Sequence, residues 1–241
     1  MQALVIGGGS GIGAELAGLH RAQGTTTIVW DVAGERDATC DITDPAAIEQ
    51  AVAGLTTVPE LITITAGVGH AGLLTEADPA EWDRIMAVNA RGPWLCMRAL
   101  ASALQAAGQR GSIVATSSIS ARLADRGMGL YCASKAALSM VVKVAAAEWG
   151  PWGIRVNAIA PGVTVTPMLG GTEDAPWLRG PAERTALGRL GQASDIAEAI
   201  VALHQMSWVT GQVLECDGGL SLQSPIDPLG EMEKLRRDRS R

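Results

Sequence analysis

The stretch Ala3-Leu4-Val5-Ile6-Gly7-Gly8-Gly9-Ser10-Gly11-Ile12-Gly13 passes from an apolar run of strand length, through a glycine-rich turn, into a helical stretch that continues to Gln23. Strand, glycines and helix in that order form a nucleotide-binding turn. Glycine lets the backbone approach a pyrophosphate, and the free amides and positive end of the helix stabilise its charge. Beyond it, strand-length apolar runs (Thr26 to Trp30, Leu61 to Thr65, Ser112 to Thr116, Arg155 to Ile159) alternate with helical stretches (Pro45 to Ala53, Pro79 to Ala107, Gly129 to Trp149). This alternation, with strands rich in Ile, Val and Thr, predicts an α/β fold in three layers, a parallel sheet with helices on both faces. Ser194 to Met206 reads as a further helix with Ser194 as N-cap, ahead of a last strand at Val213 to Cys216. From Gly162 to Gly191, Pro167, Gly170, Gly171, Pro176, Gly180 and Pro181 break every regular pattern, which predicts a mobile substrate lid over about residues 163–190.

The chain has 241 residues and no internal repeat or linker, so a single domain over 1–241 is expected. Hydrophobic residues make up 47% and charged residues 18%, and no apolar run reaches the roughly 18 residues that span a bilayer. The first residues read as a strand rather than a signal peptide, so a cytoplasmic protein without membrane attachment is expected. A net charge of −6 argues against nucleic-acid binding, and the basic run Lys234, Arg236, Arg237, Arg239 and Arg241 reads as a solvated end. Cys40, Cys96, Cys132 and Cys216 show no paired spacing and do not cluster with His20, His70 or His204, so neither disulfides nor a metal site is indicated.

Tyr131 is the only tyrosine and phenylalanine is absent. A chain that keeps one phenol keeps it for the hydroxyl. Lys135 follows four residues later, on the same face of the expected helix. Two charges about 5 Å apart interact by roughly 3 kcal/mol at an effective dielectric of ~20, equivalent to about two pKa units. The ammonium is therefore expected to lower the phenol's pKa and make it a usable acid or base. Asp31 ends the second strand, 18 residues beyond Gly13, where a carboxylate accepts from the adenosine ribose hydroxyls and repels a 2′-phosphate. Ser10 precedes Gly11 and no basic residue stands beside Asp31, so the cofactor is expected to be NAD.

In this order and spacing, the chain resembles the short-chain dehydrogenase/reductase family over roughly residues 1 to 220. The glycine run matches the family's T-G-x-x-x-G-x-G with Ile6 in the threonine place. Further matches are Asp41-Ile42, Asn89, Ser118, Tyr131 with Lys135, Asn157-Ala158-Ile159-Ala160-Pro161-Gly162, Thr166 and Asp217-Gly218-Gly219. The resemblance implies a Rossmann-type doubly wound sheet and a catalytic set of Asn89, Ser118, Tyr131 and Lys135. It also implies a cofactor site of Gly7, Gly9, Ser10, Gly11, Ile12, Gly13, Asp31, Asp41, Ile42, Ala66, Gly67, Tyr131, Lys135, Pro161, Gly162, Thr164 and Thr166. By the same resemblance, Tyr131 exchanges a proton with the reacting oxygen of a small-molecule alcohol or ketone, Ser118 hydrogen-bonds that oxygen, Lys135 bonds the nicotinamide ribose, and the Asn89 backbone carbonyl holds a water. The family forms dimers or tetramers through its long helices and last strand. Residues 220–229, part of a C-terminal extension over 220–241, are expected to pack at such an interface.

Two departures stand out. The family's Asn-Asn-Ala-Gly is here Ile64-Thr65-Ala66-Gly67, in which Thr65 replaces part of the lost amide hydrogen bonding. Nine residues between Asp31 and Asp41 are too few for a full helix plus a third strand, so the second helix shrinks to a turn and the adenine pocket opens. Val163, Met168, Leu169, Trp177 and Leu178 suit a small or ring-bearing secondary alcohol and its ketone. Two alternatives are a ketoacyl-thioester reductase, for which Arg91, Arg98, Arg122 and Arg126 would supply a basic surface, and a dinucleotide-binding sensor without chemistry. His70 reads as a loop histidine near the site.

Overall fold

The computed structural model describes residues 1–170, 178–222, 228–230, 232 and 236. Its centre is a seven-stranded parallel sheet in the order β3-β2-β1-β4-β5-β6-β9. The strands are β1 (Gln2–Ile6), β2 (Thr26–Asp31), β3 (Ala38–Thr39), β4 (Leu61–Ile64), β5 (Gly111–Thr116), β6 (Ile154–Pro161) and β9 (Val213–Cys216). The order reverses between β1 and β4, and a crevice opens there beyond the carboxyl ends of the strands.

Period-two alternation divides β1 between two cores. Leu4 and Ile6 face α2 (Pro45–Ala53), α4 (Gly92–Ala106) and α5 (Gly129–Trp149) through Ile48, Leu100 and Leu138. Val5 faces α1 (Gly11–Ala22) and α7 (Ala193–Gln205) through Leu16, Ile196 and Ile200. The expected three-layer, doubly wound architecture is thus formed. Among the described helices, α5 with the turn that follows it, Gly129–Trp152, alone has the length and mean hydropathy, 1.4, of a bilayer span. Its Leu130, Leu138, Val142 and Ala145 are buried in the core, whereas Met140 and Val144 are exposed.

Three elements differ from the sequence reading. The single helix predicted from Pro79 to Ala107 is broken into α3 (Pro79–Met86), a π-helical turn (Ala87–Arg91) and α4. Pro93 supplies the reason. It has no N–H to give the carbonyl four residues back, that of Asn89, and its ring crowds that carbonyl. The helix widens there, with Gly92 N–H donating to Ala87 O, five residues back.

Between β2 and β3 there is no helix, as the short spacing from Asp31 to Asp41 predicts. Asp37 closes the short connection by donating its N–H to Val29 O and accepting Val29 N–H on Oδ2, both at 2.8 Å. A two-residue β3 still fits, with Asp31 paired to Thr39. The N-cap of α7 is Gln192, not Ser194. Asp195 accepts Gln192 N–H at 2.7 Å and completes a capping box, which leaves Ser194 inside the first turn. The segment read as irregular from Gly162 to Gly191 contains β7 (Thr164–Val165), paired with β8 (Gly191–Gln192), and a short α6 (Arg179–Arg184). Gly171, Pro176 and Trp177 lie outside the described residues, as do Ser224 to Asp227 of the C-terminal extension.

A buried polar bridge joins α7 to the sheet. The His204 ring lies 2.9 Å from both Thr63 Oγ1 and Ser112 Oγ, and burial pushes its pKa down to about 3. The folded protein keeps this imidazole neutral, whereas the unfolded chain protonates it near 6.5. The stability it contributes is complete above pH 6.5 and is lost as the pH falls toward 3. Urea unfolding at pH 7.5 and 5.0 should show a loss of about 2 kcal/mol attributable to this group. His204→Leu should be less stable at pH 7.5 and show a flatter fall. An unchanged pH slope in that variant would remove His204 as the source.

Candidate active site

One cleft of about 1520 Å³ lies over the carboxyl ends of the strands. Every sequence-predicted site residue except Gly9 and Asn89 lines it. These two act from behind the wall. Gly9 donates its N–H to Asp31 Oδ2 at 2.8 Å, and a Cβ at Gly9 would come within 2.1 Å of Ala33 O. Asn89 is fully buried; its Oδ1 accepts Val68 N–H and its Nδ2 donates to Val68 O, each at 2.8 Å.

The first turn of α1 faces this cleft with its amides uncapped. Side chains of Asp44, Asp78 and Gln192 cap α2, α3 and α7, but Ser10 makes no such bond and no acidic residue stands in the first turn of α1. Amides left bare at a positive helix end fit a pyrophosphate. Gly13 permits the close packing behind it, since a Cβ there would lie 2.2 Å from Gly7 O and 2.5 Å from Thr65 Oγ1. Thr65 donates its hydroxyl to Gly7 O at 2.9 Å and so ties the β4 turn to the glycine turn, while Asn89 holds the next stretch. Thr166 faces Gly11 across the cleft, with its Cβ 3.5 Å from a Cβ built there.

Asp31 is both a cleft residue and a turn former: Oδ1 accepts Val32 N–H at 2.7 Å and Ala33 N–H at 3.1 Å. With Gly9 on Oδ2, three of about four acceptor positions are occupied. Asp41 likewise accepts from Thr43, through N–H at 2.9 Å and Oγ1 at 2.8 Å. Sequence reasoning missed Arg36. The short β2–β3 connection carries its guanidinium back onto Gly34 O (2.8 Å) and Thr39 Oγ1 (2.9 Å), and Thr39 is the strand partner of Asp31.

At the other end, α5 delivers Tyr131 and Lys135 and the end of β5 delivers Ser118. Lys135 Nζ donates to Thr116 O at 2.8 Å and lies 5.7 Å from the centre of the Tyr131 ring. A Cβ on Gly67 would lie 3.4 Å from that Nζ and 3.3 Å from Asn89 Oδ1, so three separate elements meet at one point. Ser118 Oγ accepts Ser120 N–H at 3.1 Å, and a hydrogen bond with Ser118 pulls the Tyr131 pKa down.

Burial outweighs that pull and raises the phenol above its ordinary value, with smaller upward contributions from Cys132 and Asp125. Burial also brings Lys135 down to about 8. This reverses the sequence expectation for the cofactor-free protein. The lysine has lost its proton before the phenol gives up its own, so no ammonium remains to stabilise the phenolate.

Met168, Val163 and Leu169 line the cleft as expected, whereas Leu178 is buried away from it. His70 also lines it, its Nδ1 3.4 Å from Glu81 Oε1. Ser120 and Asp125 line the cleft with Ser118 and Tyr131 and carry no family motif that would have marked them.

A family model described as enoyl-(acyl carrier protein) reductase matches residues 7–221. Galactitol 2-dehydrogenase (L-tagatose-forming) of Cereibacter sphaeroides is 34% identical over 91% of this chain and 94% of its own length. The crystal structure of 3-oxoacyl-[acyl-carrier protein] reductase from Brucella melitensis superposes with a TM-score of 0.83 at 30% identity, covering 90% of each chain. ElxO, solved with NADP bound, superposes at 0.81 with 25% identity over 92% of this chain and 99% of that one. Likeness that runs through both sequence and fold over nearly the full length shows descent as well as shape: the chain belongs to the short-chain dehydrogenase/reductase family, oxidoreductases that bind a nicotinamide dinucleotide.

Proposed function

We propose that the protein is an NAD(H)-dependent oxidoreductase that interconverts a secondary alcohol and a ketone, with Tyr131 as general acid and base. The convergence of Tyr131, Ser118 and Lys135 in the same cleft as the uncapped start of α1 carries this reading. Gly11, Ile12, Gly13 and Thr166 would hold the pyrophosphate, Asp31 the adenosine ribose, and Asp41 and Ile42 the adenine. When bound, the dinucleotide supplies or accepts the hydride and, oxidised, brings positive charge beside the phenol.

Tyr131 Oη gives its proton to the ketone oxygen in reduction and takes one from the alcohol in oxidation. Ser118, with one of its two acceptor positions taken by Ser120 N–H, donates to the same oxygen. Lys135, withdrawn from water and depressed to about 8, titrates close to neutrality and can pass a proton on. The Asn89 carbonyl, deprived of a helical donor by Pro93, is suited to hold the water that receives it. A homodimer or homotetramer belongs to this reading, supported by the exposed apolar side chains of Met140 and Val144 on α5 and Leu214 on β9.

Asp31 supports NAD(H) through its charge at the end of β2. The nearby Arg36 and the NADP-bound state of the similar ElxO speak for a 2′-phosphate, but the Arg36 guanidinium is already held by Gly34 O and Thr39 Oγ1. The ketoacyl-thioester alternative has less support. Of its four arginines only Arg126 lines the cleft; Arg122 is held by Glu215 at 2.7 and 3.0 Å, Arg91 by Thr43 O, and Arg98 lies over Trp94.

Calorimetric titration of both dinucleotides should give tighter binding of NAD(H) by at least about tenfold, roughly 1.4 kcal/mol. Asp31→Ala should narrow that gap and Arg36→Ala should leave it in place. Tighter NADP(H) binding to the unmodified protein would overturn the assignment.

Ultraviolet difference titration reads Tyr131 alone. In the cofactor-free protein the phenol should ionise above about 10, and addition of oxidised dinucleotide should lower that value. Tyr131→Phe should abolish the titration and reduce turnover by at least about 100-fold with little change in dinucleotide affinity. Normal turnover by that variant would exclude the acid–base role.

A further inference from the structure

Asp125 stands in the loop between the 3-10 turn Ile119–Ala121 and α5, and lines the same cleft as Ser118, Ser120 and Tyr131. The loop is pinned. Met128 N–H donates to Asp125 O at 3.0 Å, and Gly72 N–H to Gly127 O at 2.8 Å. Ser120 Oγ donates to Asp125 Oδ2 at 2.6 Å, and Ser120 N–H goes to Ser118 Oγ at 3.1 Å. The carboxylate and the serine facing the reacting oxygen are therefore parts of one hydrogen-bonded unit.

Among the described residues Asp125 Oδ1 receives no hydrogen bond, and no Lys, Arg or His pairs with the carboxylate. The hydroxyl proton of Ser120 is engaged, so Ser120 Oγ and Asp125 together offer the substrate acceptors only. Such a wall discriminates by hydrogen-bond sign. A substrate hydroxyl donates to it, a hydrocarbon leaves Oδ1 desolvated and unmatched, and a carboxylate meets acceptors and like charge.

We propose that Asp125 is a specificity-determining residue and that the substrate is an alcohol bearing a second hydroxyl one or two carbons from the reacting carbon, a polyol or its hydroxyketone. The inference rests on the secondary-alcohol reading of the site. It sets a direction of preference within a matched series: butane-2,3-diol and butane-1,3-diol above butan-2-ol, with 3-hydroxybutyrate last.

Binding of each compound to the protein loaded with oxidised dinucleotide is measured by calorimetry, and kcat/KM is measured alongside. At least one diol should exceed butan-2-ol by about tenfold or more in affinity and in kcat/KM. Asp125→Leu should reduce that ratio to near one, and Asp125→Asn, which retains an acceptor, should keep part of it. Circular dichroism and dinucleotide affinity establish that each variant is folded. Equal binding of butan-2-ol and both diols, a preference for 3-hydroxybutyrate, or an undiminished diol preference in Asp125→Leu would overturn the proposal. A diol preference in binding that depends on Asp125, without turnover of any member, would uphold the site and overturn the oxidoreductase reading alone.

Discussion

The withdrawal of the Lys135 ammonium from water is the constraint around which this structure is arranged. Only 3% of the residue is exposed, and its ammonium donates to Thr116 O. Its pKa of about 8, against 10.5 for a free lysine, corresponds to about 3 kcal/mol of destabilisation near neutrality, relieved as pH rises from 8 toward 10.5. The surroundings hold the residue in register despite that cost. Ser139 donates to Lys135 O at 2.9 Å and Ser117 to the same oxygen at 3.3 Å, with the two hydroxyls 2.7 Å apart. Ser134 donates to Tyr131 O at 2.7 Å and receives Asn89 Nδ2 at 3.2 Å. The turn of α5 that carries Tyr131 and Lys135 is thereby fastened to the end of β5 and to the π-helical turn.

What was legible in the sequence follows from periodicity. Leu4, Val5 and Ile6 alternate between two cores, and that alternation, repeated from strand to strand, specifies the doubly wound sheet. The glycine run and the spacing of Ser118, Tyr131 and Lys135 were legible for the same reason, since each sits at a fixed offset within one element or at its end. Features that depend on two distant segments were not. Arg36 reaches the strand partner of Asp31 only because the connection before β3 is short. The Gln192 cap depends on the position of Asp195 in three dimensions, and the Ser194 reading was locally just as reasonable. The pKa direction of Tyr131 failed because spacing shows a neighbouring charge and says nothing of how deeply both groups are buried.

The missing helix after β2 shows how a parallel pair survives with a short connection. Parallel strands ordinarily need a crossover of a dozen residues or more. Here the chain turns at once and Asp37 returns to the level of Val29, where its backbone and carboxylate together satisfy a residue that a longer third strand would have paired. Arg21 of α1 approaches Glu35 and Asp37 at 3.9 and 4.0 Å from the other side, contacts too long and exposed to add much stability. The backbone pairing and the Asp37 carboxylate therefore do most to hold the connection. Its consequence for the site is that the β2 end of the cleft is bordered by a loop that carries its own cation.

The two ends of the cleft are sorted by the sign of hydrogen bonding. The end built by α1 presents donors, backbone amides that no side chain caps, and suits a ligand made of acceptors such as a pyrophosphate. The end built by the β5–α5 loop presents Ser120 and Asp125 with their acceptor atoms outward, and suits a ligand that donates. Between them stand Tyr131 and Ser118, hydroxyls that can act in either sense. Ser118 is biased toward donation because Ser120 N–H occupies one of its two acceptor positions, whereas Tyr131 keeps its proton until nearby charge changes. Tyr131 therefore sits where the polarity of the cleft reverses. In the cofactor-free protein its burial, and the negative charge of Asp125, hold it in the acid form.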